Sequence, residues 1–187
     1  MRNSRAWRVS QSPIMSRPRM PLLIVAACAA CLGLAGPAAG ATSSQKLFAK
    51  LILRDGKASP QVRALLRYGE GFVDPKILFS DLTGDGKSDA SVLVGSGGAA
   101  GDVALFVFST EGPKRTTRSL RAVLRLDSLY RATVLTRRGA LLVRTPRYAP
   151  GEDLCCPATL VEQSYRWNRN KATFDVGTRV TFPGPKS

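Results

Sequence analysis

The feature that most constrains the fold is a succession of short apolar segments with a period of two residues, which begins near residue 76 and continues to residue 180. Glycine, proline and asparagine separate these segments, as they separate the strands of antiparallel sheets. The most apolar segment, Asp102 to Ser109, contains Leu105-Phe106-Val107-Phe108 and is predicted to be a central strand. Short sequential connections then favour a mostly antiparallel β-meander of six to eight strands.

Two short helices are predicted before the strands. Thr42 and Gln45 have the spacing of a capping box, which favours a helix start. Ser59-Pro60 supplies the N-cap and the first residue of a second helix, and Gly69 ends it. We therefore predict an α+β fold in which two short N-terminal helices pack on the meander.

Residues 1–41 have the three parts of a secretory signal peptide. Five arginines and no acid precede an apolar run from Leu22 to Ala35, and Ala39-Gly40-Ala41 has the small-x-small pattern that signal peptidase prefers. The apolar run is too short for a permanent transmembrane helix. We predict a secreted or extracytoplasmic protein. The alternative is a lipoprotein anchored through Cys28, because Val25-Ala26-Ala27-Cys28 loosely follows the lipobox pattern.

The remainder of the chain is predicted to form a single domain at 42–182, followed by a disordered tail at 183–187. The whole chain has 28 Lys and Arg residues against 13 Asp and Glu. Five arginines and no acid lie in 1–41, so the segment 42–187 carries a net charge of about +10. The chain contains no histidine, which excludes histidine-based triads and metal centres and removes the commonest general base. We therefore predict that the protein is not an enzyme.

An acidic loop, Asp81 to Asp89, lies between two of the apolar segments and has the sequence Asp-Leu-Thr-Gly-Asp-Gly-Lys-Ser-Asp. Oxygen atoms at loop positions 1, 3, 5, 7 and 9 come from Asp81, Thr83, Asp85, Lys87 (through its carbonyl) and Asp89. Gly86 at position 6 allows the sharp reversal that brings such donors together, so we predict a calcium site.

Two features limit this prediction. Position 12 is Val92 rather than glutamate, and the flanking segments are strands, so the acidic loop is not an EF-hand. With only three carboxylates, its expected affinity is weak, with a dissociation constant of about 10⁻⁴–10⁻³ M. The alternative is an aspartate-rich hairpin whose carboxylates accept backbone N–H groups without a metal.

The acidic loop and the apolar strand after it resemble the calcium loops of FG-GAP and VCBS repeats, although the chain has one copy and cannot build a propeller from it. Together with Tyr148-Ala149-Pro150, Cys155-Cys156-Pro157 and Tyr165-Arg166-Trp167-Asn168, the loop is also similar to secreted bacterial proteins of the LppP/LprE lipoprotein family. Asn168 stands where that family tends to have aspartate, and the lipobox is poor. The resemblance implies a cell-envelope protein of actinobacterial type and implies no activity.

Cys155 and Cys156 are adjacent, in a cysteine loop predicted from Pro146 to Pro157. A disulfide between them needs a strained or cis peptide, because ordinary disulfides join Cα atoms 4.4–6.8 Å apart. We predict this vicinal disulfide as a structural tie in an oxidising compartment. The alternatives are two free thiols, an intermolecular bridge, or a reducible switch.

Basic residues are concentrated between Lys114 and Arg147, where the only acid is Asp127. Six arginines form the predicted polyanion-binding surface: Arg115, Arg118, Arg121, Arg125, Arg137 and Arg138. Loose association with an anionic membrane or wall polymer is one interpretation, and ordinary solvent-facing strand positions are the other. The chain has no nucleic-acid-binding motif, and export disfavours DNA or RNA as a partner.

These patterns together predict a non-catalytic secreted or envelope-associated module with one calcium-stabilised loop. The alternatives are a binder or inhibitor of another extracellular protein, and a basic surface for envelope polyanions. An enzyme that used the aspartates of the acidic loop with a bound metal would lack a base outside that loop.

Overall fold

A computed structural model describes residues 41–110 and 119–185. Helix α1 spans Ser43–Arg54, and helix α2 spans Pro60–Tyr68. Thr42 and Gln45 form the predicted capping box, with the Thr42 hydroxyl accepting the Gln45 N–H at 3.2 Å. Ser59 is the N-cap of α2, and Gly69 ends that helix in a left-handed conformation. Both predicted helices are therefore confirmed.

Nine strands follow. Their bounds are β1 Phe72–Val73, β2 Leu78–Ser80, β3 Asp89–Gly95, β4 Asp102–Thr110, β5 Leu120–Leu126, β6 Thr133–Arg137, β7 Ala140–Arg147, β8 Thr159–Asn168 and β9 Thr173–Pro183. The first five form sheet A, in the order β1-β3-β4-β5 with β2 also paired to β3. The last four form sheet B, a meander in the order β6-β7-β8-β9. All the strand pairs are antiparallel.

The two hydrophobic cores lie on opposite faces of sheet A. On one face, Phe48 and Ile52 of α1 and Val62 of α2 pack with Val92 and Phe106 of the sheet. A second core joins the other face to sheet B and contains Leu93, Leu105, Val107, Leu141, Val143 and Phe174. Strands β3 and β4 are therefore buried on both sides, which explains their nearly continuous apolar sequence.

The architecture differs from the predicted one in how the strands are grouped. Antiparallel strands with two short helices are confirmed, but the single meander of six to eight strands is wrong. After β5 the chain leaves sheet A and continues as sheet B, because the second face of β3 and β4 is apolar and needs a covering layer. The two-residue strand β1, which pairs with β3, had not been predicted.

The predicted boundaries of the domain also change at the C-terminus. The tail is predicted to be disordered from residue 183, but Pro183 is the last residue of β9 and lies opposite Thr159 of β8. Residues 186–187 of the predicted tail lie outside the described residues. The N–H of Gly184 donates to the carbonyl of Ala158 at 2.9 Å, so backbone pairing extends the ordered chain past the predicted end. The predicted signal peptide, apart from Ala41, lies outside the described residues.

The described residues of the segment Ala39–Ser187 belong to one compact unit. This segment contains both hydrophobic cores and every helix and strand described above. Because a segment with its own complete core can fold alone, residues 39–187 are a suitable protein for solution measurements. None of the helices in the described part of the chain is long and apolar enough to cross a membrane.

Candidate functional site: the acidic loop and its surroundings

The acidic loop connects β2 to β3. These strands pair antiparallel with Ser80 opposite Asp89, so the residues between them form the turn of a hairpin, as the flanking apolar segments predicted. Leu82 points the other way from the charged residues and is buried in the core between the two sheets. Burial of one leucine side chain stabilises the fold by about 1.5–3 kcal/mol, so Leu82 holds the loop against the domain.

Asp81 shapes the outer half of the loop. Its Oδ1 accepts the N–H groups of Gly84 at 2.6 Å and Asp85 at 3.1 Å, and its Oδ2 accepts the N–H of Gly86 at 3.0 Å. Three successive N–H groups therefore point at one carboxylate. Gly84 and Gly86 both have positive φ, +69° and +79°, which is the conformation that glycine adopts at least cost.

Asp89 holds the base of the loop. It is only 1% exposed, and its Oδ2 accepts the N–H groups of Leu82 and Thr83, each at 2.8 Å. Its Oδ1 lies 3.5 Å from the hydroxyl of Thr83. A buried carboxylate requires such partners, because leaving its charge unpaired would cost several kcal/mol.

The five predicted calcium ligands thus lie on one loop, but the structure uses their carboxylates mainly as acceptors for backbone N–H groups. Asp85 is exposed, and its Oδ1 accepts the N–H of Lys87 at 2.8 Å. In the described residues, no group of three or more Asp, Glu, Cys or His side chains is placed to hold a metal ion. The geometry matches the alternative interpretation, a loop ordered by its own aspartates.

The donor chemistry nevertheless fits a hard cation. Each carboxylate oxygen has two lone pairs, and Asp81 Oδ2 accepts one N–H group in this structure. Asp85 is exposed on the same loop, and Thr83 adds a hydroxyl beside Asp89. These are oxygen ligands of the kind that calcium takes. Calcium binding by the loop therefore stays a prediction.

A contact that the sequence did not predict joins the acidic loop to sheet B. Arg169, in the turn between β8 and β9, donates from Nη2 to the carbonyl of Gly84 at 2.6 Å. Between the loop and this turn lies a cavity of about 400 Å³, whose walls include Asp85, Arg121, Trp167 and Arg169. The two sides are 85 residues apart in the chain, so no local spacing could have revealed the cavity.

The structure has Cys155 and Cys156 as free thiols, which differs from the predicted vicinal disulfide. None of the peptide bonds of the described chain is cis. Across a trans peptide, adjacent Cα atoms are about 3.8 Å apart, which is shorter than an ordinary disulfide requires. A hydrogen bond between the two thiols, together with burial, raises the pKa of Cys156. The cysteine loop begins after Arg147, where β7 ends, rather than at Pro146.

The four described arginines of the predicted polyanion-binding surface lie on β5 and at the turn between β6 and β7. Arg125 is held by an ion pair with Asp55, at 2.5 Å, and so is partly neutralised. Arg121 lines the cavity, whereas Arg137 and Arg138 are exposed at the turn between β6 and β7. Arg115 and Arg118 lie outside the described residues. Arg121 and Arg125 also line one further cavity together, beside the end of α1, and polyanion binding by the six arginines stays a prediction.

No protein-family model, curated protein or solved structure matches the chain. The resemblance to the LppP/LprE family and to FG-GAP loops therefore remains a prediction.

Proposed function

We propose that the protein is a non-catalytic, secreted or envelope-associated module whose acidic loop is a structural element that calcium strengthens. The observation that carries the proposal is the use of the aspartates: Asp81 and Asp89 together accept five backbone N–H groups within the loop. This arrangement fixes the shape of a surface loop. It supports a binding or scaffolding role rather than a reaction.

Calcium would add to this arrangement by relieving repulsion. Three carboxylates within nine residues repel one another unless hydrogen bonds or a cation offset their charge. Among the described residues, Asp81 accepts three backbone N–H groups and Asp89 two, whereas the exposed Asp85 accepts one, that of Lys87. Under the proposal, Asp85 is the residue whose charge calcium neutralises most, with Asp81, Thr83, the Lys87 carbonyl and Asp89 completing the oxygen ligands.

Thermal unfolding of residues 39–187 in calcium and in EDTA tests the calcium part of the proposal. A concentration of calcium one hundred times the dissociation constant should stabilise the folded state by about 2.7 kcal/mol. For a domain of this size, that corresponds to a rise in Tm of about 5–10 °C. Sodium chloride at equal ionic strength serves as the salt control, and identical Tm values in calcium and EDTA would contradict the calcium part.

A pair of matched variants makes the assay specific. Asp85→Asn keeps the acceptor for the Lys87 N–H and removes the charge, so we expect an unchanged Tm in EDTA and no rise in calcium. Asp74→Asn is the control, because Asp74 accepts the N–H of Lys76 two residues on in the same way but lies outside the acidic loop. It should respond to calcium like the unchanged protein.

Export is tested separately. Expression of the full chain in a host with a Sec pathway should deliver it outside the cytoplasm, and mass spectrometry of the mature protein should locate the new N-terminus. Cleavage after Ala41 supports secretion, whereas a lipid-modified N-terminal Cys28 supports envelope anchoring. An intact, cytoplasmic chain would contradict both routes.

A second candidate, binding to another extracellular protein through the cysteine loop, rests on how that loop is held. Leu154 is 47% exposed at its tip, although its carbonyl accepts hydrogen bonds from Arg131 at 2.6 Å and Tyr148 at 3.0 Å. Glu152 ties the two ends by accepting the N–H groups of Ala149 and Ala158. An exposed apolar side chain on an ordered loop loses little entropy on binding. A Leu154→Ser variant should then weaken capture of the partner without lowering Tm.

A further inference from the structure

A cavity of about 440 Å³ lies at the edge of sheet B, where β7 runs past the end of β6. The pairing of these two strands begins with Thr133 of β6 opposite Arg144 of β7, so residues 145–147 extend beyond β6. These three residues line the cavity on one side, and residues 128–130, before β6, line it on the other. Its volume falls within the range of about 300–1,000 Å³ that ligand pockets occupy. We call it the tyrosine cavity, because Tyr130 and Tyr148 are part of its wall.

A proline in this part of β7 limits what can lie beside the strand. Pro146 has no N–H group and cannot donate to a neighbouring strand, which is why proline is found at the edges of sheets. An extended segment in the tyrosine cavity would therefore lack a hydrogen bond that a β-ladder with β7 needs. Polyproline II is the extended conformation that has no such ladder, so it suits this place better than a further β-strand.

Two tyrosine rings form the aromatic part of the wall. Tyr130 and Tyr148 pack edge to face, with ring centroids 6.1 Å apart. The hydroxyl of Tyr148 donates to the carbonyl of Leu154 at 3.0 Å, which fixes the orientation of that ring. Tyr130 is 36% exposed, and its hydroxyl has no hydrogen-bond partner within the described part of the chain. Aromatic-lined grooves are the sites that bind proline-rich segments, and a free phenol can donate to a carbonyl of such a segment.

The backbone on both sides of Tyr130 is strained. Ser128 and Arg131 have φ values of +57° and +46°, in the left-handed region that residues other than glycine rarely adopt. The N–H of Arg131 donates to the carbonyl of Ala100 at 2.8 Å, so the neighbouring loop holds this conformation in place. Strain of this kind is concentrated at binding and catalytic sites, because it fixes a side chain where the site needs it.

The charge at the tyrosine cavity favours an acidic ligand. Of the described residues that line the cavity, Arg147 is the only charged one. It is exposed, and its guanidinium has no ion pair or hydrogen bond to another described residue. A guanidinium suits a carboxylate, which can accept two parallel N–H groups from it. The excess of 28 basic over 13 acidic residues in the whole chain would also attract an acidic partner from a distance.

We propose that the tyrosine cavity binds an acidic, proline-rich segment of another protein in the polyproline II conformation. Its proline rings lie against Tyr130 and Tyr148, and one of its carboxylates pairs with Arg147. This goes beyond the calcium-strengthened module, and it does not rest on calcium, because the tyrosine cavity and the acidic loop share no residue. It also does not rest on the contact proposed for Leu154, which does not line the tyrosine cavity.

Titration of ¹⁵N-labelled residues 39–187 with synthetic peptides, followed by two-dimensional NMR in EDTA, tests the proposal. The probes are three hexapeptides with blocked ends: Pro-Pro-Glu-Pro-Pro-Glu, Pro-Pro-Lys-Pro-Pro-Lys and Gly-Gly-Glu-Gly-Gly-Glu. D-glucuronate is the small-molecule comparison. With the first peptide, we expect saturable shifts of the amides of residues 128–131 and 147–148. The other two should bind at least about fivefold more weakly, because lysine repels Arg147 and glycine removes the preformed extended conformation.

Matched variants show whether the binding occurs in this cavity. Tyr130→Ala removes one aromatic wall and should weaken binding of the acidic proline peptide by about fivefold or more. Arg147→Gln removes the guanidinium and should weaken it by about two- to fivefold, the effect of one exposed ion pair. Tyr68→Ala and Arg67→Gln are the controls, since both residues are exposed at the end of α2 and neither lines the tyrosine cavity. Melting curves identify any variant that fails to fold, and two independent cavity variants keep the test usable.

Weaker binding of the acidic proline peptide in either cavity variant, with both controls unchanged, supports the proposal. No saturable shifts, saturable shifts only at amides away from the tyrosine cavity, or unchanged binding in both folded cavity variants would overturn it. Equal binding of the lysine or the glycine peptide would also overturn it, because the site would then not select acidic polyproline II. Binding of D-glucuronate without binding of any peptide would make the cavity a small-anion site instead. Because the titrations are made in EDTA, failure here leaves the calcium proposal standing.

Discussion

Asp89 offers the sharpest test of how the acidic loop is held together. It is 1% exposed, and its Oδ2 accepts two backbone N–H groups, those of Leu82 and Thr83, at 2.8 Å. Replacing it with alanine removes both acceptors and leaves two N–H groups without partners. A hydrogen bond to a charged group contributes about 1.5–3 kcal/mol, so we expect Asp89→Ala to lower the free energy of unfolding by about 3–5 kcal/mol.

Two companion variants separate charge from hydrogen bonding. In Asp89→Asn, the amide oxygen can still accept both N–H groups, and the amide nitrogen can donate toward the hydroxyl of Thr83, which lies 3.5 Å from Oδ1. Neutral hydrogen bonds are roughly half as strong as charged ones, so we expect a loss of about 1–2 kcal/mol. Asp85→Ala removes one acceptor from an exposed position and should cost less than about 1 kcal/mol.

The assay is urea unfolding of residues 39–187 in EDTA, followed by circular dichroism and extrapolated to water with a common m-value. We expect the loss of stability to be largest in Asp89→Ala, smaller in Asp89→Asn and smallest in Asp85→Ala. If Asp89→Ala is too unstable to fold, the other two variants still report the order. A loss below about 1 kcal/mol for Asp89→Ala, or one no larger than that of Asp85→Ala, would mean that Asp89 does not hold the base of the loop.

Three further predictions concern the glycines of the acidic loop, Asp102 of β4 and Ile52 of α1. Gly84→Ala and Gly86→Ala should each lower the free energy of unfolding by about 1–2 kcal/mol, because alanine is strained in the left-handed conformation. At Gly84 the added Cβ would also lie 2.6 Å from Arg169 Nη2, whereas at Gly86 it would meet no atom within 4 Å. Gly84→Ala should therefore lose more stability in urea unfolding and should also change Trp167 emission. Burial, and then the charge of Asp74, raises the pKa of Asp102. The folded state therefore holds that proton more tightly than the unfolded state, and it loses stability as pH rises from about 3.9 through the raised pKa. Asp102→Asn should be more stable than the unchanged protein at pH 7 but not at pH 3, as measured by urea unfolding at both pH values. Ile52→Ala, at a fully buried position of α1, should cost about 2–5 kcal/mol in the same assay, and a smaller loss would mean that the helix layer is not packed on sheet A.

What could be predicted from the sequence was mostly local. The caps of α1 and α2 depend on residues three or fewer positions apart, so Thr42, Gln45, Ser59 and Pro60 were sufficient to place both helix starts. The hairpin around the acidic loop was also local, because its two strands lie directly beside it. Strand β4 was predicted to be central from its apolar run, and it pairs with β3 and β5.

What could not be predicted depends on contacts between distant residues. Whether β6 continues sheet A or starts a new sheet depends on which apolar faces meet, and alternation along β5 and β6 looks the same in both cases. The bond from Arg169 to Gly84 has no counterpart in the local sequence. The ion pair of Arg125 could not be predicted for the same reason. The position of Arg125 in an alternating strand predicts a solvent-facing charge, but its partner, Asp55, lies at the end of α1.

Calcium binding by the acidic loop is measured most directly by titrating ¹⁵N-labelled residues 39–187 with calcium and following the backbone amide signals by two-dimensional NMR. We expect saturable shifts confined to the amides of the acidic loop and its immediate neighbours, with a dissociation constant of about 10⁻⁴–10⁻³ M and no saturation in Asp85→Asn. The amide signal of Gly86 should be among those that shift, because its N–H donates to Asp81. Unchanged loop amides at saturating calcium, or weak shifts scattered over amides beside acidic residues all over the surface, would show that the acidic loop is not a calcium site.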